Sequence, residues 1–358
     1  MFNFNANFNK SSVGIDIGTQ SVKIVEIQNK DKVYNISNYA IWDDDLDHTI
    51  QERNSNYEST AEYISEIILN LLKTSDIHTK DCYISIPSYL AFSALIDVPI
   101  MSIEELTKAI PLEASQYIPT SIDEVQIDWI VLGNSLQPNS LEILLIAIPN
   151  EVINKYLTIA NLLNLNIKGF ELDIFSQIRS TNLNNVPTLI IDIGARSSMV
   201  SIVNEKQQLL ITKSFDFGGN QITNQIMLFN EGISIKEAET LKKQNGLIGE
   251  NQSVVDIKKL TYNNFILQNV DVVINDYYKK HTKNIEEVLV VGGTSRMKGI
   301  SDYTGSTLKQ IDNRLSNIKT SVGSPNNSIK ITTDIQNMFV EKIWQDLSLA
   351  IGIALKKN

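Results

Sequence analysis

Apolar residues fall into short runs separated by small polar turns, and the period of each run predicts its element. Three strand-like runs open the chain: Ser12 to Ile17, Ser21 to Gln28 and Lys32 to Ala40. The polar Asn29-Lys30-Asp31 punctuates the last two as a hairpin turn. The ten residues before them alternate Asn with Phe or Ala and read as a frayed start. Ile64, Ile67, Ile68, Leu71 and Leu72 then recur on one helical face. The same order returns half a chain later. Leu189 to Ile193, Met199 to Asn204, a turn at Glu205-Lys206-Gln207, and Leu209 to Phe215 repeat the strand–turn–strand unit. Two copies of one unit predict two similarly folded halves.

Between the copies, strands are expected at Cys82 to Pro87, Ala94 to Val98, Gln126 to Leu132 and Leu141 to Ile148. A helix opens with the capping box Ser102-Ile103-Glu104-Glu105, and Pro111 is expected to kink or restart it. Asn150 suits the cap of a helix bearing Ile153, Tyr156, Leu157, Ala160 and Leu163. After the second copy, Asn220 to Lys280 reads as mostly helical, with a second capping box at Ser234 to Glu237. Ile285 to Val291 reads as a buried strand entering Gly292-Gly293, Ser321 to Asn327 as a loop, and Val340 to Leu355 as a terminal helix. The apolar face of that helix lacks the basic flanks of a membrane-surface helix, so a packed role is expected.

Composition narrows the function classes. At 358 residues the chain exceeds one ordinary core, so two domains are expected. Asp and Glu outnumber Lys and Arg by 41 to 31, which argues against a nucleic-acid partner. One cysteine, Cys82, and three scattered histidines, His48, His78 and His281, offer neither an intrachain disulfide nor a sequence-local zinc site. No stretch approaches the ~20 apolar residues of a membrane span, and a cytoplasmic location is expected.

The usual P-loop, dinucleotide-binding, hydrolase and zinc-protease motifs are absent, which leaves the paired Asp-x-Gly turn. Glycine and small residues let backbone N–H groups approach a phosphate closely, and a carboxylate on each side can hold hydrated Mg²⁺. Asp16-Ile17-Gly18-Thr19-Gln20-Ser21-Val22-Lys23 offers one such turn, with a hydroxyl and a lysine besides. Asp192-Ile193-Gly194-Ala195-Arg196-Ser197-Ser198 offers the second.

These motifs resemble the phosphate motifs of the actin, heat-shock-chaperone and sugar-kinase ATPase superfamily. Glu171 to Phe175 and Leu349 to Leu355 resemble its connecting motifs, and Val290 to Met297 its adenosine motif. Within that superfamily the chain is similar to the PilM family of type IV pilus assembly. The likeness rests on Val13 to Gly18, on Leu112-Glu113-Ala114-Ser115-Gln116-Tyr117-Ile118-Pro119, on Gly218 to Thr223 and on Ala350 to Leu355.

The resemblance implies an α/β, actin-like (ribonuclease H-like) fold of two domains, related by internal duplication, with ATP and Mg²⁺ in the cleft between them. Residues 1–186 with 338–358 would form the first domain, carrying an inserted subdomain at about 82–150. Residues 187–337 would form the second, with a helical subdomain at about 228–283. Asp16 and Asp192 would hold Mg²⁺ through water. Gly18, Thr19, Gln20, Ser21 and Lys23, then Gly194, Ala195, Arg196, Ser197, Gly218 and Gly219, would surround the phosphates. Glu239, Lys242, Gly292, Gly293, Thr294 and Arg296 would meet the nucleoside, and Asp173 would orient water in any slow hydrolysis. The implied partner is the cytoplasmic N-terminal segment of a PilN-like inner-membrane protein, which would bring the chain to the membrane indirectly; self-association is a further expectation. A filament-forming, FtsA-like protein and a sugar-kinase-like phosphotransferase are the alternatives.

Overall fold

The computed structural model describes residues 11–30, 33–43, 61–326, 329–331 and 343–356. Contacts divide the chain into two compact units. The first gathers Met1–Pro87, Tyr156–Leu183 and Gly323–Asn358, and the second gathers Ser88–Lys155 with Asn184–Val322.

In the first unit, β1 (Ser11–Ile17), β2 (Ser21–Lys30) and β3 (Val33–Asp43) form an antiparallel meander. Two parallel strands, β4 (Asp81–Ile86) and β8 (Asn166–Leu172), extend it on the β1 side, and β14 (Ile329–Ile331) adds to β3. The sheet order is β14-β3-β2-β1-β4-β8. Helices α1 (Ala61–Thr74) and α4 (Asp173–Ser180) belong to this unit, as does the terminal helix α10 (Trp344–Ala354). The hairpin pairing runs to Lys30↔Val33, beyond the expected end of β2; Asp31 and the first ten residues lie outside the described ones.

In the second unit, β9 (Thr188–Ile193), β10 (Ser198–Val203) and β11 (Leu209–Phe215) form the second meander. Strands β12 (Glu287–Val291) and β13 (Lys319–Val322) join β9 in parallel, giving the order β11-β10-β9-β12-β13. The duplication is thus realised in five strands of each sheet, β14 having no counterpart among the described strands of the second. Even its register repeats: Asp16↔Lys23 and Ile17↔Val22 correspond to Asp192↔Met199 and Ile193↔Ser198. Helices α5 (Gly219–Phe229), α6 (Ile235–Asn245), α7 (Gln252–Tyr262), α8 (Gln268–Lys280) and α9 (Ile300–Ile311) complete this half.

The inserted segment makes its own three-stranded sheet, β5-β7-β6, from β5 (Phe92–Pro99), β6 (Val125–Asn134) and β7 (Ser140–Pro149). Helix α2 (Ile103–Ala114) covers it, burying Leu106, Ile110 and Ala114 against Ile96, Val98, Ile143 and Leu145. The capping box forms as expected, with Ser102 Oγ accepting from the Glu105 N–H and Glu105 accepting from the Ser102 N–H. Pro111 does not break the helix. It lies one turn from the end, the backbone carbonyl it deprives belongs to exposed Thr107, and the buried Leu106–Ile110–Ala114 stripe packs on both sides of it.

Four expectations change. Residues 88–155 group with the second half, not the first: edge strand β11 lies against Ser88–Leu90 and β5, Lys280 Nζ donates to the Leu95 carbonyl at 3.3 Å, and His281 Nε2 lies 4.0 Å from the Glu142 carboxylate. The described residues 323–326 and 329–331 group with the first unit, where Ile329 joins a core of Val25, Ile27 and Ile36. On α3 (Asn150–Leu162), which connects the units, Ile159 is buried while Leu157 is exposed. Ser321 and Val322 are strand rather than loop. Cys82 is an interior residue of β4, and burial pushes its thiol up to about 12, as befits inert packing.

The terminal helix is buried nearly all round, from Trp344 through Leu347 to Ala350, Ile351 and Ala354, and is not a membrane-surface helix. Among the described residues no helix is long and apolar enough to cross a membrane. Two glycines admit α10 to its place. A Cβ on Gly14 would lie 2.7 Å from the Ala354 nitrogen, and one on Gly352 would lie 2.5 Å from the Ser176 carbonyl carbon. Both clashes are with backbone, which cannot turn aside. Gly14→Ala and Gly352→Ala should therefore each cost about 3 kcal/mol or more in urea unfolding. Gly169→Ala, whose Cβ would meet only side-chain atoms at 3.7 Å and beyond, should stay within about 0.5 kcal/mol.

Candidate functional site

Each half ends its first strand in a carboxylate followed by a tight turn. In the first unit Gly18 N–H donates to the Ser21 carbonyl at 2.9 Å; in the second, Gly194 N–H donates to the Ser197 carbonyl at 3.0 Å. A Cβ on either glycine would press on the carbonyl it bonds, at 3.2 and 3.0 Å. Thr19, Gln20 and Ser21, like Ala195, Arg196 and Ser197, are half-buried around these turns.

The first turn carries its own cation. Asp16 is only 4% exposed, and Lys23, its direct cross-strand neighbour, reaches it at 3.5 Å. On the other side Asp16 is paired with Ser85 of β4, whose Oγ is buried and finds no hydrogen-bond partner among the described residues. Sequence reasoning missed Ser85, though the one serine in the apolar run Cys82 to Pro87 is a legible signal. Asp173 opens α4, where its Oδ1 accepts from the adjacent Ile174 N–H. The neighbouring Glu171 is engaged by Arg179 through both carboxylate oxygens, at 2.7 and 2.6 Å, and Arg179 also donates to the Gly352 carbonyl.

The second turn is the hub of a larger arrangement. The Gly194 carbonyl accepts from Gly219 N–H at 2.9 Å and from Thr294 Oγ1 at 3.2 Å, and the Ala195 carbonyl accepts from Asn220 N–H at 2.8 Å. Three segments thereby converge: the β9 turn, the start of α5 and the Gly292-Gly293-Thr294 loop after β12. There is no room for side chains at the junction. A Cβ on Gly218 would lie 2.7 Å from two carbonyl oxygens, and one on Gly219 2.6 Å from Thr294 Oγ1. Gly292 has φ +82° and its Cβ position is filled by the Asp192 carboxylate and the Ile193 carbonyl. Ser198 Oγ donates to the Phe217 carbonyl at 2.5 Å, fastening the approach to Gly218.

Behind α5 lies a buried ion pair. Lys242 Nζ bonds Glu239 at 2.5 Å, Thr223 Oγ1 at 2.9 Å and the Gly219 carbonyl at 3.2 Å. Thr223 Oγ1 in turn donates to Glu239 at 2.5 Å. Expected at the nucleoside, Lys242 instead spends its three donors inside the protein, holding the first turn of α5. Burial pushes its ammonium down, and Glu239 opposes that. Burial pushes Glu239 up, but the Lys242 charge and the bonds from Lys242 and Thr223 outweigh it and leave the carboxyl below its usual range. Thr223, which sequence reasoning did not single out, sits one turn after Gly219. Lys258, fully buried, donates to the carbonyls of Leu241, Lys242 and Gly246 at the end of α6, and burial pushes it down to about 8. Arg296 is exposed at the end of the glycine loop, with Nε 3.3 Å from the Gly293 carbonyl, and Arg196 faces Asp216 at 3.6 Å.

Among the described residues no three His, Cys, Asp or Glu side chains converge as a metal cluster, so a metal here would rest on few protein ligands and its own water.

The ion pair yields a pH-resolved prediction. In the parent, Glu239 contributes stability above the ordinary carboxylate range that is lost as pH falls through its lowered value. Lys242→Met leaves that carboxyl buried beside Thr223 and the exposed Lys243, so its value should rise. The variant should then lose about 3–5 kcal/mol at pH 7 and less near pH 4, where the acid is neutral. Urea melts at the two pH values check this; an equal loss at both would contradict it.

Residues 14–358 match the family described as type IV pilus assembly protein PilM. A solved PilM–PilN type IV pilus biogenesis complex is 17% identical, with 96% of this chain and 97% of that chain covered and a TM-score of 0.76. The ethanolamine utilization protein EutJ of Carboxydothermus hydrogenoformans is 13% identical over 97% of this chain and 89% of that one, with a TM-score of 0.55. With the duplicated sheets, these likenesses fix the fold as the actin-like two-domain fold expected from the motifs. The chain therefore belongs to the PilM family of type IV pilus assembly proteins.

Proposed function

We propose that this chain is a nucleotide-dependent adaptor of type IV pilus assembly, which binds ATP with Mg²⁺ and holds the cytoplasmic N-terminal segment of a PilN-like inner-membrane protein. The observation that carries the nucleotide reading is the repeated carboxylate–glycine turn, with the glycine junction at Gly194, Gly218, Gly219 and Gly292 that no side chain could share. The N–H groups of Gly18, Gly194 and Gly219 are spent on protein carbonyls, so in this reading the glycines shape the turns and phosphate oxygens meet the turn tips, where Thr19, Ser21 and Ser197 offer hydroxyls. In this reading Gly18, Thr19, Gln20, Ser21 and Lys23 contact phosphate from the first copy, and Gly194, Ala195, Arg196, Ser197, Gly218 and Gly219 from the second. Asp16 and Asp192 hold Mg²⁺ through water. Gly292, Gly293, Thr294 and Arg296 meet the nucleoside with Glu239, while Lys242 acts as a positioning residue for Gly219. Bound nucleotide supplies the phosphate and metal charge that these groups recognise, and the chain's own part is to bind and orient it.

The partner reading rests on family membership and on the PilN chain named in the solved relative. It places the protein in the cytoplasm, at the membrane through its partner. The burial of α10 disfavours that helix as the membrane-binding tail of a filament-forming protein.

Calorimetry on folded, nucleotide-free protein should show ATP·Mg²⁺ binding, and Asp192→Ala should weaken it about tenfold or more while leaving the unfolding midpoint nearly unchanged. Absence of any binding would refute the nucleotide reading. Hydrolysis should be slow, far below the roughly 10 s⁻¹ of dedicated enzymes. Asp173 is the residue proposed to orient water, so a fast turnover abolished by Asp173→Ala would favour a phosphotransferase instead. For the partner, N-terminal peptides of neighbouring inner-membrane proteins should bind, and surface changes on residues 88–149 should abolish that binding without affecting ATP. Unchanged capture by such variants would put the partner elsewhere.

A further inference from the structure

A cavity of about 310 Å³ opens where the inserted sheet meets α8 and the edge strand β11, away from the carboxylate–glycine turns. Its volume is within the ordinary range of small-molecule sites, about 300–1,000 Å³. The floor is apolar, made by Leu95 and Leu144 of the inserted sheet and by Leu210 and Tyr277 of the second half. Its charged lining is Lys213, Lys279, Lys280, His281 and Asp276. Burial, helped by Lys280, pushes the His281 imidazole down, so it is neutral at pH 7 and the lining carries three positive charges against one negative. In a chain of net charge −10 that local excess is not background. Asp276 is shared by Lys213 and Lys279, so one carboxylate answers two ammonium groups. Lys280 donates to the Leu95 carbonyl at 3.3 Å, and its charge also acts on Glu142, a carboxylate beside His281 that does not itself line the cavity.

We propose that this cavity binds a small organic anion, an apolar body seated on the leucine floor with a carboxylate or phosphate head among Lys213, Lys279 and Lys280. The apolar floor excludes a bare inorganic anion as the best occupant, because it would leave the leucines wetted, and the lysines disfavour a neutral or cationic one. Because the walls come from both the inserted sheet and the second half, an occupant would also fasten the two together beside the Lys280–Leu95 bond. This site is separate from the proposed nucleotide residues and does not depend on them.

The test uses the full chain, without nucleotide and again with excess ATP·Mg²⁺, and three probes of one shape: 2-naphthoate, 2-naphthyl phosphate and neutral 2-naphthamide. Calorimetry or probe fluorescence should give one site per chain for at least one anion, bound at least tenfold more tightly than the amide. The preferred head then tells carboxylate from phosphate. The double variant Lys279→Gln/Lys280→Gln should weaken the anion at least fivefold and leave the amide unchanged; if it fails to fold, Lys213→Gln serves in its place. Equal affinity for acid and amide, indifference to the lysine variants, displacement by excess ATP or no saturable binding would each overturn the proposal.

Discussion

The carbonyl oxygens of Gly194 and Ala195 point away from their own strand and are met by the amides of Gly219 and Asn220 and by the Thr294 hydroxyl. Buried carbonyls left without donors cost a few kcal/mol, so the turn, the α5 start and the glycine loop must be in place together or not at all. Every surrounding substitution is constrained by that closure. Gly218 and Gly219 cannot gain a Cβ, Gly292 must adopt a left-handed backbone, and Lys242 must reach from α6 to steady Gly219. The buried Lys242–Glu239 pair is then understandable. Such a pair adds little net stability, but its fixed geometry holds an α5 start that exposed contacts would leave loose.

A second closure governs the first unit. Helix α10 enters the core only because Gly14 and Gly352 let backbone touch backbone, and Arg179 caps the contact by linking Glu171 to the Gly352 carbonyl. Residues from near the two ends of the chain are thereby locked across β1, α4 and α10. The amphipathic look of the terminal sequence is misleading for this reason: its polar positions, Gln345 and Ser348, are buried and bonded to the Gly323 carbonyl and to Gln177.

Much of this was legible in the sequence, and the limits are physical. The meanders could be read because alternating burial and short turns are local, and the Asp-Ile-Gly repeat marked where both begin. The capping boxes at Ser102 and Ser234 were legible because a cap is set by four consecutive residues. The allegiance of residues 88–155 was not, because it depends on β11 meeting β5 and on contacts as distant in sequence as Lys280 to Leu95, 185 positions apart. Nor was the role of Lys242: a Glu and Lys three apart look like a surface pair until α5 buries them. Pro111 misled because its penalty depends on how much helix follows and on which face loses the bond.

The duplication is faithful in backbone and unequal in chemistry, and the inequality matters for any bound phosphate. Lys23 and Met199 hold the same place opposite the two aspartates, so the first carboxylate is neutralised by its own strand partner while the second has an uncharged neighbour there. The second copy has Arg196 where the first has Gln20, and adds the glycine junction that the first lacks. A symmetric pair of turns would present two equivalent charges to a ligand. This pair presents one carboxylate with a lysine beside it and one set against a tightly closed glycine loop. The two turns therefore differ in charge and in closure, and substitutions at Asp16 and Asp192 should not be interchangeable even though their registers repeat.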